Sequence, residues 1–349
     1  MKTIRINTTD YQYDVLVGDV LLELKKYIGN HHEILVITDE NVYNYHFPKL
    51  TDVIPLQHVF ILSKTPEQDK SISMFEKCVN YAISNFLDRN LLVIAFGGGA
   101  VGDFAAFFAS TYKRGVRFIN LPTTLLAHDS AIGGKTALNV GNIKNVVGTF
   151  YQPEVVIYHT PFLETLSLVE VKNGFGEILK HDLLSIGSLF FKVLDSELKL
   201  NKLLDDKELL EEFIYQAILV KKHYIESDPY ETKGIREYLN FGHTLGHALE
   251  LLYQLKHGIA VSIGIGFDLF LADSPYTSTY FNLIKRLEIL TANNDFSVDL
   301  ISEILKNDKK NRNGLITFIG LQDFGKPYRL ELAIEEFKHN FREFMRLYL

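Results

Sequence analysis

Thiols are nearly missing from this 349-residue chain: Cys78 is its one cysteine, which excludes any internal disulfide. It lies in MFEKCVNYAISNF, where Phe75, Val79, Ala82 and Phe86 mark the buried side of a helix. The thiol therefore reads as an inert core group, and the chain as one suited to a reducing cytoplasm. A basic surplus is missing as well. Lys and Arg number 36 against 43 Asp and Glu, a formal net charge of −7, which argues against a broad electrostatic grip on nucleic acid. No apolar run reads as a membrane span. LLVIAFGGGAVGDFAAFFAS comes nearest, but Asp103 and the glycines at 97, 98, 99 and 102 read as a turn instead of a bilayer helix. MKTIRINTTDYQYD lacks the apolar core of an export signal. Internal repeats and low-complexity linkers are absent too. With 47% hydrophobic and 23% charged residues, the composition is that of a soluble globular protein with room for two domains.

Two textures divide the chain. Up to about residue 160, short β-branched runs alternate with helical patterns. EILVIT (33–38), HVFIL (58–62), LLVIAF (91–96), VRFINL (116–121) and PEVVIY (153–158) read as buried strands. That alternation predicts a Rossmann-like α/β nucleotide-binding domain over 1–160, with a parallel sheet covered on both faces. From 161 to 349 the apolar residues fall at helical spacing, as in LVEVKNGFGEILKHDLLS, KELLEEFIYQAILVKKHYIES and AVSIGIGFDLFLADS. A mainly α-helical second domain is expected there, with the active site in the interdomain cleft.

Three motifs carry chemistry. In LLVIAFGGGAVGDFAA a strand runs into Gly97, Gly99 and Gly102, the GxGxxG spacing, and then into a helix, a place where backbone can approach a pyrophosphate. The acid that usually follows about 20 residues later is missing from INLPTTLL, so Asp39 in VITDENV is the better ribose partner. In PTTLLAHDSAIGGKTALNVGNIKNVVG, the polar groups Asp129, Lys135, Asn139, Lys144 and Asn145 crowd a loop between the two halves, without the spacing of a P-loop. Finally, REYLNFGHTLGHALELLYQLKHG holds His243, His247 and His257, and NGFGEILKH holds Glu177 with Lys180 and His181. A glutamate with two or three histidines is a ligand set for a borderline divalent metal such as zinc. The i, i+4 spacing predicts that both His243 and His247 bind it. Arg236 and Asn240, four apart on a helical register continuing into these histidines, suit a carboxylate or phosphate.

FGGGAVGD, PTTLLA, GGKTALN, KN, GFGEILKH, LNFGHTLGHALE, HG and DKK, in that order from about Asp39 to Lys310, resemble the 3-dehydroquinate synthase family of sugar phosphate cyclases. The resemblance implies a lyase of the shikimate pathway that turns 3-deoxy-D-arabino-heptulosonate 7-phosphate into 3-dehydroquinate and phosphate with no net redox change. It implies NAD, a divalent metal (zinc, or cobalt), a cytoplasmic homodimer and a small sugar-acid phosphate as partner, with neither nucleic acid nor membrane. Carried over by motif, the metal ligands become Glu177, His243 and His257, which moves His247 to the substrate side. NAD would contact Asp39, Asn41, Glu67, Lys70, the run Gly98, Gly99, Ala100, Val101, Gly102 and Asp103, then Thr123, Thr124, Lys135, Lys144, and Phe162, Leu163, Glu164 and Thr165. Substrate would meet Asp129, Lys135, Asn145, Lys180, Lys221 in preference to Lys222, Arg236, Asn240, His247, Lys310 and an Arg114 supplied by the neighbouring subunit. Two alternatives stand beside this reading. One is another cyclase such as 2-deoxy-scyllo-inosose synthase; the other is a polyol dehydrogenase of the glycerol dehydrogenase type, where His181 could join the metal shell.

Overall fold

The computed structural model describes the chain apart from residues 30–32, 57, 142, 291–294 and 307–313. It forms two compact units, Met1–Leu166 with Lys207–Tyr230, and Ser167–Asp206 with Glu231–Leu349. The first is built on seven strands: β1 Lys2–Asn7, β2 Gln12–Gly18, β3 Ile34–Asp39, β4 His58–Leu62, β5 Leu92–Gly97, β6 Arg117–Pro122 and, after the small hairpin β7 Leu138–Val140 and β8 Ile143–Val147, β9 Val155–His159. The sheet order is β1-β2-β9-β6-β5-β3-β4, parallel throughout except for β1, which pairs antiparallel with β2.

The near-continuous apolar runs follow from burial on both faces. Along β3, Leu35 and Ile37 join one core with Val93, Ala95 and the helix Gly99–Thr111, while Ile34 and Val36 join the opposite core with Ile94, Phe96 and Ile119. Cys78 sits fully buried in the first of these, on the helix Ile72–Ser84. Its expected neighbour Phe86 does not: it lies beyond the helix end at φ +58°, and is 89% exposed.

The division at 160/161 expected from texture differs from the observed units in two ways. The second unit starts at Ser167, and the helix Lys207–Ser227 returns to the first. That helix lies on the β1–β2 hairpin, where Lys2 pairs with Glu212 and the Asn7 N–H donates to Glu226 (2.6 Å); Thr160 Oγ1, just after β9, donates to Glu211 (3.1 Å). These partners lie some two hundred residues apart for β1, and local periodicity carries no trace of them.

In the second unit, helices Leu168–Leu183, His243–Tyr253 and His257–Leu271 pack together, with Thr277–Arg286, Val298–Lys306 and Ile334–Tyr348 around them. An antiparallel hairpin, β10 Ile316–Leu321 with β11 Pro327–Leu332, adds a small sheet to this otherwise helical unit. Phe267 packs edge-on against Phe318, Phe337, Phe341 and Phe344, which joins the hairpin and the last helix to one core. Among the described residues, no helix is long and apolar enough to cross a membrane.

Candidate functional site

Within the second unit, helix packing brings three donors together. Glu177 is fully buried on Leu168–Leu183, and its Oε1 lies 3.6 Å from His243 Nε2 and 3.2 Å from His257 Nε2. Glycines permit this. A Cβ on Gly176 would meet the Gly258 carbonyl carbon at 2.9 Å, and one on Gly258 would meet that of Asn173 at 2.8 Å, inside ordinary contact. Helix His257–Leu271 therefore rides directly on the backbone of Leu168–Leu183. The Gly258 N–H also donates to Asn173 Oδ1 (2.7 Å), locking the first turn that carries His257.

The outer atoms of the histidines are committed. His243 Nδ1 bonds the Phe241 carbonyl oxygen (3.0 Å), and His257 Nδ1 donates to Glu250 Oε2 (3.0 Å), so both rings turn Nε2 toward Glu177. Carbonyl–imidazole and carboxylate–imidazole pairs of this kind set the tautomer of metal-binding histidines. Burial, and then the Lys180 ammonium, push the His243 imidazole well below its ordinary value, which leaves it neutral and able to donate a lone pair. Burial would also depress His257, but the carboxylates of Glu177 and Glu250 overcome it and raise the group to about 10. Glu177, His243 and His257 fit a divalent metal of the zinc type by donor types and mutual approach, each offering an atom within 4.8 Å of the others, with a metal taking the place of the proton that His257 Nε2 otherwise shares with Glu177.

His247 is placed differently from the spacing expectation. Its ring is exposed, 5.1 Å from that of His243 and 5.8 Å from that of His257. It forms a second, more open group with Glu250 and His257, but there Glu250 already holds His257 Nδ1. The helical register assumed from Arg236 onward also breaks. Arg236–Asn240 is a 3-10 turn, followed by Phe241 at ψ 123°, outside the helical region, and by Gly242 at φ +77°, where a Cβ would meet Ile265 Cγ1 at 2.6 Å. Arg236 is buried 3.4 Å from Glu231, Asn240 half-buried, and Lys180 buried at 2.5 Å from Glu177 Oε2. Glu250, Asn173 and Phe241 were not anticipated. Glu250 alone left a signal, seven residues after His243 and so on the same helix face.

In the first unit, Asp39 ends β3, and Gly98 and Thr123 follow the adjacent strands β5 and β6, at the carboxyl end of a parallel sheet where ligands bind. The Gly97–Gly98 turn has no room for side chains: a Cβ on Gly97 would meet Val101 Cβ at 2.6 Å, and one on Gly98 would meet Thr124 Cγ2 at 2.9 Å. The helix Gly99–Thr111 that follows has no acid in its first turn, so its N–H groups fit an anion such as a pyrophosphate. Asp39 is taken up as the cap of Glu40–Thr51, accepting from the Asn41 and Val42 N–H groups through Oδ1, and burial pushes its carboxyl up. Val101, Phe162 and Leu163 are fully buried core side chains, which leaves only their backbone for a nucleotide. Glu164 pairs with Lys207, and Thr165 Oγ1 bonds His46 Nε2 at 2.8 Å.

Beside the glycine turn, buried Lys70 donates to Asp103 Oδ2 (2.8 Å) and Asn145 Oδ1 (2.6 Å), with Glu67 Oε2 at 3.6 Å. Lys135, Lys144 and Arg114 are exposed, Arg114 at φ +70°. Lys221 is buried and bound to Asp129, with Nζ 3.0 Å from Oδ1, whereas Lys222 pairs with Glu226 at 3.3 Å. Lys310 lies outside the described residues.

The class of protein comes from solved structures. The chain matches 2-deoxy-scyllo-inosose synthase complexed with carbaglucose-6-phosphate, NAD+ and Co2+ at TM-score 0.85 and 26% identity, over 98% of this chain and 100% of that one. A 2-epi-5-epi-valiolone synthase from Streptomyces hygroscopicus shares the fold at TM-score 0.85 and 21% identity, over 97% and 98% of the two chains. The fold is thus that of the sugar phosphate cyclases. Family models described as 3-dehydroquinate synthase N-terminal and C-terminal match residues 60–173 and 174–311. The 3-dehydroquinate synthase of Bacillus cytotoxicus is 39% identical over 95% of this chain and 94% of its own, and that of Bacillus cereus 39% over 93% of each. The chain belongs to the 3-dehydroquinate synthase family.

Proposed function

We propose that this chain converts 3-deoxy-D-arabino-heptulosonate 7-phosphate to 3-dehydroquinate and phosphate as an NAD- and metal-dependent lyase. The observation that carries the reading is identity of 39% across nearly the whole chain to a 3-dehydroquinate synthase, in a protein that buries a zinc-type donor set. When bound, NAD supplies a hydride acceptor restored within each turnover, and the metal (zinc, or cobalt) supplies Lewis acidity toward substrate hydroxyls. The protein's part is to hold and orient. Glu177, His243 and His257 hold the metal, and Lys180 balances the buried Glu177 charge. The first-turn N–H groups of Gly99–Thr111 hold the nucleotide's phosphates, with Lys70 and Asp103 beside them.

Two anionic ends of the substrate need cations. In the second unit the buried Arg236 guanidinium, with Asn240, offers a fork suited to the carboxylate. In the first unit Lys135 and Asn145 offer donors to the phosphate, and Lys221 is held in place by Asp129. His247, exposed beside the metal donors, takes the substrate side, and a homodimer would supply Arg114 from a second copy. A hexose phosphate cyclase would have no carboxylate for Arg236. The test incubates the metal-loaded protein with the heptulosonate phosphate and catalytic NAD. One phosphate and one 3-dehydroquinate per turnover are expected, without accumulating NADH. Stoichiometric NADH, or turnover only on a hexose 6-phosphate lacking the carboxylate, would refute the reading.

A further inference from the structure

Asn139 stands among the polar residues of the segment that follows β6 and has no part in the proposed reaction. In the structure it is half-buried on β7 and bonded on every side. Its backbone N–H donates to the Lys70 carbonyl oxygen (2.6 Å). Its Nδ2 donates to the Glu67 carbonyl oxygen (3.1 Å) and to Glu67 Oε1 (2.9 Å). Its Oδ1 accepts from the Asn145 N–H (2.8 Å). Asn145 sits at φ +54°, a left-handed conformation that asparagine adopts more readily than other non-glycine residues, and the bond from its N–H to Asn139 fixes it there. Held so, Asn145 presents Oδ1 to the Lys70 ammonium, whose other partner is Asp103 on the glycine-turn helix. One amide therefore joins three segments.

We infer that Asn139 is a positioning residue that sets two half-sites at once: its Nδ2 arm fixes Glu67 on the nucleotide side, and its Oδ1 arm fixes Asn145 on the phosphate side. The inference rests on the proposed function for the identity of those two ligands. Its distinguishing feature is that the two arms are chemically separable. Asn139→Ala removes both, whereas Asn139→Asp keeps the acceptor for the Asn145 N–H and loses the donor to Glu67. The backbone bond to Lys70 survives in both variants, so the hairpin keeps its anchor.

The experiment titrates NAD and, separately, inorganic phosphate into the metal-loaded wild type and each variant by calorimetry, with melting curves alongside. Loss of one such hydrogen bond corresponds to about a three- to tenfold change in affinity. Asn139→Ala is expected to weaken both ligands by that factor and to raise KM for substrate more than it lowers kcat. Asn139→Asp is expected to weaken NAD by at least that factor, since it loses both bonds to Glu67 and sets a carboxylate against the Glu67 carboxylate, while phosphate stays within twofold of wild type. A residue that merely stabilised the hairpin would move both ligands together in both variants, and that parallel loss overturns the inference. So does Asn139→Ala binding both ligands as wild type does. A wild-type protein that binds neither NAD nor phosphate overturns the functional reading itself, and this inference with it. Should Asn139→Ala fail to fold, the NAD-against-phosphate split in Asn139→Asp decides alone.

Discussion

Replacing Gly258 by alanine tests whether the helix crossing, and not the ligand residues alone, makes the metal site. The added Cβ would lie 2.8 Å from the Asn173 carbonyl carbon and nearer still to its oxygen. Carbon atoms in contact prefer about 3.5–4.0 Å, so helix His257–Leu271 must retreat from Leu168–Leu183 by roughly 1 Å. The same retreat breaks the Gly258 N–H bond to Asn173 Oδ1 and carries His257 away from Glu177, now 3.2 Å apart. Overpacking of this kind costs about 1–3 kcal/mol of stability. Metal sites hold donors to within about 0.2 Å, so the displacement exceeds the tolerance severalfold. We expect zinc affinity, measured by competition with a chelating dye, to fall at least ten- to a hundredfold, or about 1.4–2.7 kcal/mol. The zinc-induced rise in melting temperature should shrink accordingly. Retention of wild-type zinc affinity by a folded Gly258→Ala protein would refute the reasoning, because the crossing would then be free to adjust without moving the ligands.

Other expectations follow from the same geometry. Glu177→Gln or His257→Ala should lose the metal as read by metal analysis, whereas His247→Ala should keep it and lose turnover; the reverse would restore the i, i+4 pair as ligands. Glu250→Gln should weaken zinc binding about tenfold by loosening His257, and unchanged affinity would deny Glu250 that part. Arg236→Ala should cost roughly ten- to a hundredfold in kcat/KM, about the worth of one charged hydrogen bond, with NAD affinity intact. His46 and His159 are buried and held down to about 4, chiefly by burial. Below an ordinary value near 6.5 the unfolded chain therefore takes up protons that the folded one refuses. The contribution of these two histidines should be full above pH 6.5, fall by up to about 1.4 kcal/mol per pH unit for each toward pH 4, and level off below. A His46→Gln, His159→Asn double variant should flatten that slope in urea unfolding at pH 7 and 5. An equally steep loss would place the acid sensitivity elsewhere.

Wherever the needed information was local, the sequence determined the outcome. HVFIL gave β4 to the residue, and KELLEEFIYQAILVKKHYIES gave the helix Lys207–Ser227 with the same bounds, because strand and helix periodicities are written in neighbouring side chains. The order of its motifs was enough to point to the 3-dehydroquinate synthase family. Tertiary structure alone decided the rest. Spacing favoured His243 with His247, since residues four apart share a helix face. Yet it is His257, fourteen residues on, whose Nε2 meets Glu177, because glycines at 176 and 258 let two helices touch backbone to backbone. Gly242 turns the chain through a left-handed conformation, so Arg236 and the histidines do not share the register that their spacing implied. The β1–β2 hairpin recruits a helix two hundred residues away, and Asn139 gathers Glu67 and Asn145 from both sides of the glycine turn. Periodicity records which face of an element is buried; which distant face it meets is settled only when the elements pack.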